Sequence, residues 1–94
     1  EQLHLRTTLL EPESVTAFFY SSIDEKQVRL STAVESAAKA KGVKIPLIDG
    51  YRNARMTEKL NLSARLPVMV ELRKGEVART ETVTSEADIS KFLG

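Results

Sequence analysis

The chain has 94 residues, 41% of them apolar and 29% charged, an ordinary globular composition with room for one core that buries roughly 60–70% of the extended chain's surface. Fourteen basic residues against thirteen acidic ones leave a formal charge of +1, so no whole-protein field draws the chain toward nucleic acid or an anionic membrane, and no apolar run is long enough to insert across a bilayer. There is no cysteine, which excludes a disulfide, a thiol nucleophile, a thiolate metal ligand and dithiol redox chemistry.

Leu3, Leu5 and Thr7 alternate with Gln2, His4 and Arg6, the period of a short strand. Leu9-Leu10-Glu11-Pro12-Glu13-Ser14 reads as a proline-containing connection. Val15 to Tyr20, Val-Thr-Ala-Phe-Phe-Tyr, is a continuous apolar and β-favouring run of the length of a strand buried on both faces, and it belongs at the centre of a sheet. Ser22-Ile23-Asp24-Glu25 has the Ser-x-x-Glu pattern in which a serine oxygen caps a helix and the glutamate reaches back, so a helix is expected from about Ile23 to Lys41. Within it Leu30, Val34, Ala37 and Ala38 recur at helical spacing, Glu25–Arg29 and Glu35–Lys39 are i,i+4 pairs, and Gly42 stands where a C-terminal cap belongs.

Val43, Ile45 and Leu47 alternate ahead of Asp49-Gly50, a short strand that runs parallel to the previous one because a long helix separates them. Pro46 cannot donate to a ladder, so either this strand is an edge there or its outer neighbour, residues 3–6, stops short of it. Asn53 is placed to cap a shorter helix through about Leu62, with Met56 and Leu60 as its buried pair. Val68, Val70 and Leu72 alternate with Met69, Glu71 and Arg73, Lys74-Gly75 makes a hairpin, and Glu76 to Val83 returns as a polar edge strand. Ser85-x-x-Asp88 opens a last helix with Ile89, Phe92 and Leu93 on one face. The order predicts an α/β fold: a mixed sheet, half parallel and half an antiparallel hairpin, with helices on both faces.

Two stretches carry a resemblance: Val15-Thr-Ala-Phe-Phe-Tyr20 running into a capped helix, and Leu66-Pro67-Val68-Met69-Val70 followed by Lys74-Gly75-Glu76-Val77 and a helix ending Lys91-Phe92-Leu93. Together they resemble the thioredoxin fold over residues 15–94, and with the opening segment included the chain is expected to be a single thioredoxin-like domain, 1–94. The resemblance implies a cis peptide bond at Leu66–Pro67. It fails at the start of the first long helix, where thioredoxins carry Cys-x-x-Cys and this chain has Ser22-Ile23-Asp24-Glu25-Lys26-Gln27. Asp24 and Glu25 already occupy the positive end of that helix, which is good capping and a poor setting for an activated nucleophile. The acidic residue that thioredoxins bury would fall near Phe18, and the glycine after their last strand near Thr82. Within the superfamily the chain is similar to the redox-inactive, non-catalytic b-type domains of protein disulfide isomerases, where Phe-Phe followed by Ser/Asp-rich residues opens the same helix. The implied role is recognition of a protein or peptide without electron transfer.

By the same resemblance the backbone of Leu66 beside Pro67 would face solvent and pair with an extended peptide, with Tyr20, Ile23 and Leu66 as apolar walls. The competing and favoured reading of Ile23 is a first-turn hydrophobic residue packed inward. Arg52, Arg55, Lys59 and Arg65 gather around the second helix, where Arg52 and Arg55 are candidate anion ligands and a solvated face is the favoured alternative. No RNA-binding signature accompanies them. His4 is the sole histidine, so neither a histidine metal site nor a Ser-His-Asp triad is expected. Ser21 and Ser22 are explained by capping, and the carboxylate pairs Asp24–Glu25 and Glu11–Glu13 fall in segments expected to be exposed, where ordinary acidities give no tuned acid and base.

The sequence therefore predicts a module with no cofactor that binds a protein or peptide, not nucleic acid. Its rivals are a glutathione- or small-ligand-binding subunit of the same superfamily, and a purely structural or oligomerising module. Zero cysteines fit a reducing and an oxidising compartment alike; the cytoplasm is favoured, beside a periplasmic or secretory space. The chain opens Glu1-Gln2-Leu3 without methionine, as a processed protein or a domain of a longer one would.

Overall fold

A computed structural model describes residues 13–93. The expected strand at Leu3–Thr7, the connection up to Pro12 and His4 lie outside the described residues. Strand β1 (Ser14–Tyr20) is followed by helix α1 (Glu25–Lys41), strand β2 (Leu47–Asp49), helix α2 (Ala54–Lys59), strands β3 (Val68–Arg73) and β4 (Glu76–Thr82) and helix α3 (Glu86–Leu93). The sheet order is β2-β1-β3-β4. β1 pairs parallel with β2 and antiparallel with β3, and β3 pairs antiparallel with β4. The mixed α/β architecture is as expected, and among the described strands β1 is internal. No helix among the described residues is long and apolar enough to cross a membrane.

Alternation along the strands divides the core into two layers. Ala17, Phe19, Val68, Val70 and Leu72 point to one face, where they pack with Ile48, Met56 and Leu62. Phe18 and Met69 point to the other, where they meet Val34 and Ala38 of α1, Ile89 and Phe92 of α3, and Ile45 and Val83. Both faces of β1 and β3 are thus apolar because helices cover both, and Met69, which sits in the register of Glu71 and Arg73, is fully buried. Arg79 of β4 ties the end of α3 to the sheet: its guanidinium lies 4.1 Å from the Phe92 ring centroid, donates to the Phe92 carbonyl at 3.1 Å and approaches Glu71 at 3.6 Å.

Several ends differ from expectation for local reasons. α1 begins at Glu25, because Asp24 rather than Ser22 is its cap and accepts the N–H groups of Lys26 and Gln27. At its other end Gly42 has φ +69°, and the N–H groups of Gly42 and Val43 return to Lys39 and Ala38, a Schellman closure. Glu25–Arg29 closes at 2.9 Å, whereas Glu35 and Lys39 form no ion pair. β2 starts only at Leu47, Pro46 contributing its carbonyl to the Phe18 N–H. α2 stops at Lys59, three residues before the expected Leu62: Asn61 takes a left-handed φ of 61° and Leu62 drops into the core. The hairpin turn has positive φ at both Lys74 and Gly75, the geometry that matches strand twist. Beyond it the pairing steps from Leu72–Val77 to Glu71–Arg79, leaving Ala78 as the extra residue of a bulge. In α3 the carboxylate of Asp88 accepts the N–H and hydroxyl of Thr84, and these bonds, with a smaller contribution from the Ser85 N–H, hold it below the ordinary aspartate value.

Candidate functional site

β1 and β2 run parallel, so their C-terminal ends open at the same edge, and the turns that follow them meet there. Asp49, the last residue of β2, organises the meeting. Its Oδ1 accepts the N–H of Ser22 at 3.2 Å and of Tyr51 at 3.0 Å, its Oδ2 lies 3.6 Å from Arg52 Nε, and its carbonyl accepts both N–H and side-chain Nδ2 of Asn53. Asn53 therefore precedes α2 without the side-chain cap expected of it. Burial pulls the Asp49 carboxyl upward, but the Ser22 side chain and the N–H groups of Ser22, Tyr51 and Arg52 outweigh it and hold the carboxyl below the ordinary aspartate value. Asp49 is consequently an acceptor at neutral pH and has no proton to donate.

The first turn of α1 is built on the same edge. Asp24 caps the helix, and Gln27 Oε1 reaches back to the Ser21 N–H at 2.7 Å. The cap is thus displaced by two residues from the expected Ser22, and Gln27, at the position from which a capping box returns, takes the N–H of Ser21 instead of that of the cap, whose own N–H donates to the Ser21 carbonyl. The displacement decides where Ile23 goes. Instead of packing inward as the favoured reading held, Ile23 sits in the turn before the helix and is 72% exposed. Asp24→Ala should cost about 0.5–2 kcal/mol in urea unfolding, with Asp24→Asn close to wild type because asparagine caps comparably.

Leu66 closes the corner from the other side. Its side chain lies against Gly50, where any Cβ would come within 2.8 Å of Leu66 Cδ1 and 3.3 Å of Thr57 Oγ1, and the Gly50 N–H donates to the Tyr20 carbonyl. The glycine is thus what allows Leu66 to rest on backbone. The Leu66–Pro67 peptide bond is cis. Pro67 gives its carbonyl to Val83, while neither the N–H nor the C=O of Leu66 is hydrogen-bonded among the described residues.

Of the residues singled out from sequence, Leu66 is half-buried and packs on the Phe19 layer, and Tyr20 is half-buried on the opposite layer, stacked on Phe18 at 6.0 Å between ring centroids. Arg52 leans on Asp49, Arg55 is exposed, and nothing brings the two onto one point. Sequence reasoning missed Asp49 and Tyr51, the second an aromatic side chain 61% exposed beside Ile23's turn. The signal was there: Asp-Gly-Tyr after a strand is an Asx-turn pattern, in which the aspartate binds the N–H two residues on. No histidine stands among the described residues, and the carboxylate beside Ser22, that of Asp49, is taken up by the N–H groups of Ser22 and Tyr51 and by Arg52, so the corner offers surface rather than an activated nucleophile. A separate shallow cleft of about 560 Å³ lies between α1 and the start of α3, and none of Ile23, Tyr51 and Leu66 lines it.

No protein-family model and no curated protein matches the chain. Solved thioredoxins do. A Plasmodium falciparum thioredoxin superposes with a TM-score of 0.81 at 16% identity, over 98% of this chain and 90% of that one. A mutant thioredoxin from Halobacterium salinarum gives 0.75 at 19% identity over 99% and 82%. Mitochondrial thioredoxin 3 of Saccharomyces cerevisiae gives 0.75 at 11% identity over 96% and 85%. The chain thus has the thioredoxin fold, and it has it without a single cysteine.

Proposed function

We propose that this chain is a redox-inactive thioredoxin-fold module that recognises an extended segment of a protein or peptide at the corner formed by Ile23, Tyr51 and Leu66. The observation that carries the reading is the exposure of Ile23, 72%, in a turn fixed on three sides by Asp24, Gln27 and Asp49. A large apolar side chain held rigidly in water gains by being covered, at roughly 25 cal/mol per Å² removed from solvent. The N–H and C=O of Leu66, unpaired among the described residues, supply the complementary polar element, since an incoming extended chain can satisfy both as an added strand. Pre-organisation helps, because the loop loses little freedom on binding. The resemblance to b-type isomerase domains supports recognition in place of thiol exchange.

The test uses variants that leave the core alone. Labelled, unstructured nine-residue peptides with a central leucine are followed by fluorescence anisotropy against wild type, Ile23→Ser and Tyr51→Ala. Both side chains are exposed, so unfolding midpoints should stay within about 0.5 kcal/mol of wild type. Affinity should fall about tenfold in each, the scale of losing one well-placed interface side chain. Unchanged affinity in both variants would remove the corner from the binding surface.

A further inference from the structure

We infer that the segment taken up at this corner is acidic as well as apolar: an extended stretch with an aliphatic side chain for Ile23 and Tyr51 and carboxylates for the arginines around them. This rests on the corner binding an extended segment, and adds the chemistry of the partner.

The charge is unevenly placed. Between residues 49 and 66 stand four cations, Arg52, Arg55, Lys59 and Arg65, and two carboxylates, Asp49 and Glu58, although the whole chain has a surplus of one. Asp49 is in addition withdrawn from the surface, with 13% of its side chain exposed and its Oδ1 occupied by two backbone N–H groups. Arg52 approaches it yet keeps 82% of its own side chain in solvent. Arg55 and Lys59 are exposed, and neither pairs with Glu58. Arg65, the chain neighbour of Leu66, is exposed and hydrogen-bonded to the Thr80 hydroxyl at 2.6 Å. On the opposite wall the first turn of α1 adds no net charge, since Lys26 and Arg29 offset Asp24 and Glu25.

The open backbone at Leu66 is therefore flanked by Arg65 on one side and by the Tyr51-Arg52 turn on the other. An extended strand sets alternate side chains about 7 Å apart on one face, so one short segment can present an aliphatic group and a carboxylate together. Phosphates would also meet these arginines. A nucleic acid, however, has no use for an exposed isoleucine or for a pair of strand-like backbone groups, and Tyr51 is the one largely exposed aromatic among the described residues.

The experiment compares three labelled nine-residue peptides of glycine and serine with a central leucine, flanked on both sides by glutamates, glutamines or lysines. A uridine oligonucleotide of similar length serves as a fourth probe. At low ionic strength the glutamate peptide should bind about five- to tenfold tighter than the lysine peptide, as expected of two exposed charge contacts. That preference should vanish in the Arg52→Gln/Arg65→Gln double variant, with the glutamine peptide unaffected. Equal affinity for all three peptides, weakened by Ile23→Ser, would overturn the charge preference and leave the corner as a peptide site. Absence of binding by any peptide would overturn both, and tighter binding of the oligonucleotide than of the glutamate peptide would assign the arginines to nucleic acid.

Discussion

Phe18→Ala is expected to lower the free energy of unfolding by about 3–5 kcal/mol, the range for removing a large aromatic side chain from a packed core. Phe18 is fully buried in the internal strand, stacks on Tyr20, and belongs to the cluster that joins β1 to Val34 and Ala38 of α1 and to Ile89 and Phe92 of α3. Deleting its ring leaves a cavity between sheet and helices that only backbone movement could fill. Urea unfolding should show a lower midpoint with an unchanged slope, since the surface exposed on unfolding stays much the same. A loss under about 1 kcal/mol would mean that the α1 face is loosely packed at this point. The position also bears on chemistry. It is where thioredoxins are expected to place a buried acid, and here the site beneath the helix is hydrocarbon.

The second large effect is expected at Asp49. Asp49→Ala leaves the N–H groups of Ser22 and Tyr51 without their acceptor and should cost about 1–3 kcal/mol. It should also disorder Ile23 and Tyr51 relative to each other, so peptide affinity falls although neither side chain has changed. The pH dependence has a definite sign. The folded carboxyl lies below the ordinary value of 3.8, so its contribution is complete above that value and disappears as pH falls through the lower folded value. Asp49→Asn, which keeps one acceptor oxygen and cannot titrate, should flatten this acid limb of the stability profile. A limb as steep in Asp49→Asn as in wild type would assign the acid sensitivity to other carboxylates.

These residues show what was legible in the sequence. Val15–Tyr20 announced a strand buried on both faces because β-branched and aromatic residues fill it without interruption, and Lys74-Gly75 and Gly42 announced their turns because each needs a left-handed backbone. The cap of α1 was not legible, since Ser22 and Asp24 are both good cap residues and local chemistry does not choose between them. The choice coincides with a contact across 27 residues: Asp49 takes the Ser22 N–H and fixes the turn, leaving Asp24 to open the helix. Exposure of Ile23 follows from that contact, which is why the inward reading failed. The early end of α2 has a similar origin. Helical spacing placed Leu60 and Leu62 in one helix, whereas burying Leu62 fully accompanies a left-handed break at Asn61. In each case the missing information was tertiary.

The candidate corner was half visible for the same reason. Leu66 and Pro67 stood out because their sequence neighbours resemble a known strand entry, but Tyr51 joins them only through Asp49 and Gly50. Tyr20, chosen for its place at the end of β1, packs with the opposite layer from Leu66. The sheet's alternation settles such questions, and a one-residue step moves a side chain from one face to the other.

Recognition at the proposed Ile23–Tyr51–Leu66 corner can be followed residue by residue. The most direct measurement is an amide-resolved NMR titration of the isotopically labelled chain with the glutamate-flanked leucine peptide. The largest shifts are expected at Ser22–Glu25, Gly50–Arg52 and Arg65–Leu66. Largest shifts at Leu30, Ala33 and Thr84–Ala87, in the cleft between α1 and α3, would contradict it.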